Sequence, residues 1–153
     1  MKKYFLAIMT VVIISAIVFA TGFITIGTGS VSAAAGSINV SVPVNLENNN
    51  SISILDFTLT YSRYIIFTGA QNTTRMTNAT IEYYTINETT LNVAAFIPDG
   101  IQVGSGAIMN LFFNVNESAL PGNSSLDMSD IVLVNVDSDN INYTVSNGIF
   151  TII

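Results

Sequence analysis

The chain has 153 residues, half of them apolar, with four Lys/Arg against ten Asp/Glu and neither His nor Cys. That inventory excludes Ser–His and Cys–His nucleophiles, thiolate chemistry, imidazole metal ligands and disulfide staples. A net charge of −6 with so few cations also disfavours nucleic acid and anionic lipid, which are bound through Lys and Arg.

Lys2 and Lys3 precede an uncharged, mostly apolar run from Tyr4 to Ile26, followed by the small residues of "VSAAAG". Charged, apolar and small segments in that order predict a secretory signal, with cuts expected after Ala33 or Ala35. The run is also long enough, at about 20 apolar residues, to stay as a membrane anchor. The reading therefore divides the chain into residues 1–35, a signal peptide or N-terminal anchor helix, and residues 36–153, one exported domain. The lysines hold the start inside, so the rest is secreted or displayed at the cell surface. Beyond residue 33 the only cations are Arg63 and Arg75, against all ten acids.

"INVSVPVNL" (38–46) alternates strictly and predicts a half-buried strand; Pro43, which has no N–H to donate, predicts that it lies at an edge. Residues 52–61 predict a second strand whose phase shifts at Leu55-Asp56, a candidate bulge; Phe57, Leu59 and Tyr61 carry its later apolar face. "RYIIFTG" is a short third strand and residues 69–78 read as loop. "ATIEYYTI" and "TLNVAAFI" are two further strands, and "PDG" at 98–100 predicts a turn. The strand at 106–115 puts Ala107, Met109, Leu111, Phe113 and Val115 on one face, yet its other face carries Ile108 and Phe112. After the loop "ESALPGNSS" come "LDMSDIVLVNV" (one strand or two), "INYTV" and "IFTII". About nine short strands between Gly/Pro/Asn/Asp/Ser turns, with no helical period after residue 36, predict an all-β sandwich or barrel.

Chemistry-bearing clusters are few. The acids sit mostly in turns, and nothing in their pattern marks a catalytic pair, so no enzyme is expected. Asp137, Asp139 and Asn142 could offer oxygen ligands to Ca²⁺, but they lack the glycine and distal Glu of an EF-hand loop; an Asx-rich turn accounts for them. Eight Asn-x-Ser/Thr sequons occur, at Asn39, Asn49, Asn72, Asn78, Asn87, Asn116, Asn123 and Asn142. Residues 34–153 hold 17 Asn and 24 Ser plus Thr, so chance would give about three, and the excess points to a glycosylated surface protein.

The order of segments resembles a cohesin domain. "INVSVPVNLEN", "SILDFTLTYS", "LNVAAF", "GSGAIMNLFFNV" and "SSLDMSDIVLVNVDSDNINYTVSNGIFTI" match the family's Val-Pro-Val strand and its Asp-Phe-x-Leu-x-Tyr strand. They also match its Gly before a Phe-x-Val strand end and its closing Asn-Gly. The likeness spans about residues 37–153. It implies a nine-stranded jelly-roll sandwich that binds a dockerin, a small Ca²⁺-binding helical module, with the Ca²⁺ on the partner and no cofactor on this chain. It further implies a binding face on the flat outer surface of one sheet, built largely from the third, fifth, sixth and eighth strands. With strands numbered from the one at residue 38, alternation within each strand turns Tyr64, Ile66, Phe96, Ile108 and Phe112 outward, and these five are the expected docking patch. The many sequons favour surface attachment or assembly over cellulose degradation. Two other readings remain: a self-assembling surface filament joined by an exchanged strand, and a polysaccharide-binding module using exposed tyrosines.

Overall fold

The computed structural model describes residues 24–153. They form β1 (Ile24–Thr28), β2 (Val31–Ala33), β3 (Val40–Glu47), β4 (Ile52–Thr60) and β5 (Ile65–Asn72). A 3₁₀ turn at Thr74–Met76 follows, then β6 (Thr80–Asn87), β7 (Thr90–Ile101), β8 (Ala107–Val115), β9 (Gly122–Asn135), β10 (Tyr143–Ser146) and β11 (Gly148–Ile152). Two sheets face each other: five strands in the order β10-β1-β3-β8-β5 and six in the order β2-β11-β9-β4-β7-β6. All nine expected strands are present. The two additional ones, β1 and β2, lie in the segment assigned to the signal.

That placement moves the expected domain boundary. Ile24 and Ile26 are fully buried, and β1 is sandwiched between β10 and β3. β2 crosses to the other sheet and pairs with β11. The crossover is sealed by Thr28, whose buried hydroxyl accepts from the Gly148 N–H at 2.8 Å and donates to the Leu126 carbonyl at 3.2 Å. A cut after Ala33 or Ala35 would remove two paired strands, so the folded domain begins no later than Ile24 rather than at residue 36. Within β1, Gly27 answers to packing: a Cβ there would overlap the Ser146 carbonyl. The remaining part of the expected signal or anchor helix, residues 1–23, lies outside the described residues. Among the described residues, no helix is long and apolar enough to cross a membrane. The strand that the filament reading would hand to a neighbour is held here by its own chain.

Alternation built the core as expected. Val42, Val44 and Leu46 of β3, Phe57 and Leu59 of β4, and Met109, Leu111, Phe113 and Val115 of β8 are buried. Phe113 is the hub, edge-on to Tyr61, Phe67 and Phe150 at ring distances of 5.1, 5.7 and 6.5 Å. Burying a large apolar side chain contributes about 1.5–3 kcal/mol each, and this core carries a fold that has no disulfide.

Local expectations failed where the ladder is irregular. β3 is an interior strand, not an edge. Pro43 is tolerated because its carbonyl accepts from Gly29 at 2.8 Å, so its N–H-less nitrogen faces the point where β1 leaves the sheet. The bulge of β4 sits at Ser53, between Ile52 and Ile54, rather than at Leu55-Asp56. It buries Ile52 and turns Ile54 outward. "PDG" does not end its strand: β7 continues to Ile101, with Gly100 at φ +69° inside an excursion opposite Ser53. β5 runs into the expected 69–78 loop as far as Asn72. "LDMSDIVLVNV" belongs to one strand, β9, bent near Asp130 (φ +49°).

Candidate docking surface

The outer face of the six-stranded sheet follows from the β4–β7 register. Ile54 lies opposite Phe96, Asp56 opposite Ala94 and Thr58 opposite Asn92. On the flanks β6 adds Thr80, Glu82 and Tyr84, opposite Phe96, Ala94 and Asn92. β9 adds Val134 and Val132, opposite Ile54 and Asp56. Phe96, Val132 and Ile54 are 54%, 44% and 40% exposed, an unusual cluster for a face whose alternating partners already fill the core. Beside them Ile54, Thr80, Glu82, Ala94, Ala95 and Phe96 line a shallow open depression of about 380 Å³. Tyr84, also well exposed, stands on the same face.

The middle of the face is polar and fixed. The Asn92 amide donates to the Asp56 carboxylate at 2.9 Å and to the Phe57 carbonyl at 3.2 Å. Beyond it, Asp127 accepts from Ser125 at 2.6 Å and from Asn147 at 3.2 Å. The surface thus grades from an apolar end to a hydroxyl- and carboxylate-bearing end. Both cations of the described residues are spent elsewhere. Arg63 precedes β5 and its guanidinium donates to Tyr64, which raises its pKa. Arg75, on the 3₁₀ turn, donates to the carbonyls of Leu46 at 2.7 Å, Gly106 at 2.9 Å and Gln102 at 3.2 Å, and to Asn48 Oδ1 at 2.7 Å. Burial lowers its pKa.

The five residues expected to form one patch do not share a face. Phe96 lies on the six-stranded sheet as described. Ile66, on β5, is exposed on the outer side of the five-stranded sheet, with Phe112 half-buried two strand positions away on β8. Tyr64 is half-buried before β5 and carries Arg63 over its ring at 5.3 Å. Ile108 is fully buried. It is the extra residue of a β-bulge, since adjacent Val44 and Asn45 pair with Met109 and Ala107. The 3₁₀ segment is tied over that bulge by the Thr73 hydroxyl and N–H, which both donate to the Ile108 carbonyl at about 3 Å.

Counting explains the misplacement. With β1–β2 taken as one interrupted first strand, the third, fifth, sixth and eighth strands are β4, β6, β7 and β9. These four are contiguous in the six-stranded sheet. Assigning residues 24–33 to a signal displaced the count by one and moved four of the five candidates off that sheet. Other outward residues of that sheet are legible in the sequence: Asp56 before the Phe57/Leu59 core pair, and Tyr84 in "TIEYYTIN".

The oxygen-rich segment at 137–142 is a turn. Asn135 Oδ1 accepts from the N–H groups of Asp137 and Asp139 at 3.0 and 2.8 Å, and the Asn135 amide donates to the Asp139 carboxylate at 3.4 Å. Among the described residues no group of three or more His, Cys, Asp or Glu is placed to hold a metal ion.

Comparison of the whole structure with solved ones finds the same architecture. A non-cellulosomal cohesin of the archaeon Archaeoglobus fulgidus superposes with a TM-score of 0.76 at 24% identity, covering 86% of this chain and 91% of that one. A type I cohesin solved with a dockerin from Clostridium thermocellum gives 0.78 at 20% identity, covering 86% and 99%. The sixth cohesin of an Acetivibrio cellulolyticus scaffoldin, solved with a dockerin, gives 0.76 at 23% identity, covering 86% and 99%. The chain therefore has the cohesin-domain fold. No protein-family model matches the sequence. No curated protein matches it either.

Proposed function

We propose that this chain is a non-catalytic, cohesin-type docking module displayed outside the cell, and that it captures a dockerin-type partner on the outer face of the six-stranded sheet. The observation that carries this reading is the Ile54–Phe96–Val132 cluster. Three large apolar groups stand exposed on the one sheet that contains β4, β6, β7 and β9 together. A flat, ladder-held face costs little ordering on binding, and exposed aromatic and aliphatic side chains are the usual anchors of such contacts. The neighbours solved in complexes are cohesins bound to dockerins, which supports the choice of partner class. Any Ca²⁺ requirement belongs to the dockerin.

Titration calorimetry of the domain against dockerin modules from the same organism, with Ca²⁺ and with a chelator, tests the reading. Binding is expected only with Ca²⁺. Phe96→Asp is expected to weaken it by about 30-fold, the loss of one hot-spot anchor of about 2 kcal/mol, at unchanged melting temperature. Absence of binding to every such module, or full affinity in Phe96→Asp, would sink it.

A further inference from the structure

The eight sequons are not absorbed by a docking role. All eight asparagines are exposed. Asn49, Asn78, Asn116 and Asn142 lie in connections between strands, Asn39 just before β3, and Asn72 and Asn87 at the last residues of β5 and β6. Asn123, opposite Thr151, is on the six-stranded sheet but at the end of β9 remote from Val132. None falls among the outward residues around Ile54, Phe96 and Val132.

That gap is not for want of acceptor hydroxyls. Asp56 and Asp127 on this sheet are each followed two residues later by a hydroxyl, Thr58 and Ser129, so a single Asp-to-Asn change would make either a sequon. The one asparagine at the centre of the face, Asn92, has Ala94 at that position instead.

We propose that the exported chain is N-glycosylated as a collar around the sandwich that leaves bare the end of the six-stranded sheet's outer face around Ile54, Phe96 and Val132; the bare face rests on the docking reading, the glycan sites do not. The acceptor is the asparagine Nδ2. It forms a bond to the anomeric carbon of an oligosaccharide carried on a lipid phosphate or diphosphate, loses one proton, and the lipid-linked phosphate departs with the bonding electron pair. Local geometry ranks the sites. At Asn87 and Asn116 the side-chain oxygen accepts from both the N–H and the hydroxyl two residues on, at 2.9 and 3.1 Å from Thr89 and at 2.9 Å each from Ser118. These bonds hold the amide in a turn with its nitrogen free. At Asn72 the same nitrogen is engaged, donating to the Met76 carbonyl at 2.8 Å. Asn87 and Asn116 are thus the foremost sites and Asn72 the last.

Glycopeptide mass mapping of the protein recovered from its own host tests this. Sugar is expected on Asn87 and Asn116, with Asn72 the least occupied. A protein carrying no glycan, or one modified at Asn72 but at neither Asn87 nor Asn116, overturns the proposal. The native protein and its unglycosylated counterpart from a host without the pathway are then compared for dockerin binding. Equal affinity within twofold is expected, and binding by the unglycosylated form alone overturns the bare face. If neither form binds while the map is as expected, the docking reading fails and the glycan sites stand.

Discussion

The outer faces of the two sheets are built from the same kind of alternating strand, yet they differ in character. The five-stranded sheet shows Ser41, Asn45 and Glu47 of β3 and Asn110 and Asn114 of β8, with only Ile66 strongly exposed and Phe112 half-covered among them. The six-stranded sheet gathers Ile54, Phe96 and Val132 into one exposed cluster with Asp56 and Asn92 fixed beside it. Apolar content does not separate them; placement does. On one sheet a bulge at Ile108 withdraws an apolar side chain into the core. On the other a bulge at Ser53 pushes one out, at Ile54. A bulge changes which face the following residues occupy, so two single-residue irregularities set the contrast between the faces.

The severest way to break that contrast is to take away the segment shared by both sheets. A chain begun at Ala34 loses β1 and β2, strips β10 of its sheet partner among the described residues and uncovers the core. No cooperative thermal transition is expected by circular dichroism, whereas a chain begun at Phe23, which keeps β1 and β2, should melt cooperatively. A folded, cooperatively melting Ala34 chain would show that β1 is dispensable. Next in size is Phe113→Ala, which empties the aromatic hub between the sheets and is expected to cost about 3–5 kcal/mol in urea unfolding. Arg75→Lys should cost about 2 kcal/mol, since an ammonium cannot span three carbonyls and Asn48 from one planar fork. A loss under 0.5 kcal/mol would mean that water replaces those bonds.

Much of this arrangement was legible in the sequence, because period-two patterning names core residues without knowing their partners. β3, the later half of β4 and most of β8 read correctly on that basis alone. What failed depended on long-range pairing. Ile24 and Ile26 end an uncharged run that matches a targeting segment in composition, and only pairing with β3 and with β10, more than a hundred residues on, shows them to be strand. Pro43 signalled an edge, and locally it has one, because β1 departs at Gly29. The five expected patch residues were spread over both sheets through the same first strand: once it is uncounted, every later strand number shifts. Phe96 survived because its neighbours Val93 and Ala95 fix its orientation under either count.

The smallest expected effect is the sharpest control on the comparison. Ile66→Asp places a charge on the outer side of the five-stranded sheet, at a side chain 55% exposed and opposite Asn114. Exposed substitutions away from caps and buried networks stay within about 0.5 kcal/mol, so unfolding should hardly move. Dockerin affinity should not move either, because Ile66 is on β5, in the other sheet from β4 and β7. Phe112→Asp, on the same side, should also leave affinity intact, although its half-buried ring makes it the more destabilising of the two. Weakened docking in Ile66→Asp, with stability preserved, would reassign the binding face to the five-stranded sheet. Unchanged affinity there beside a loss in Phe96→Asp ties recognition to the face where Ser53 bulges and Ile54 turns out.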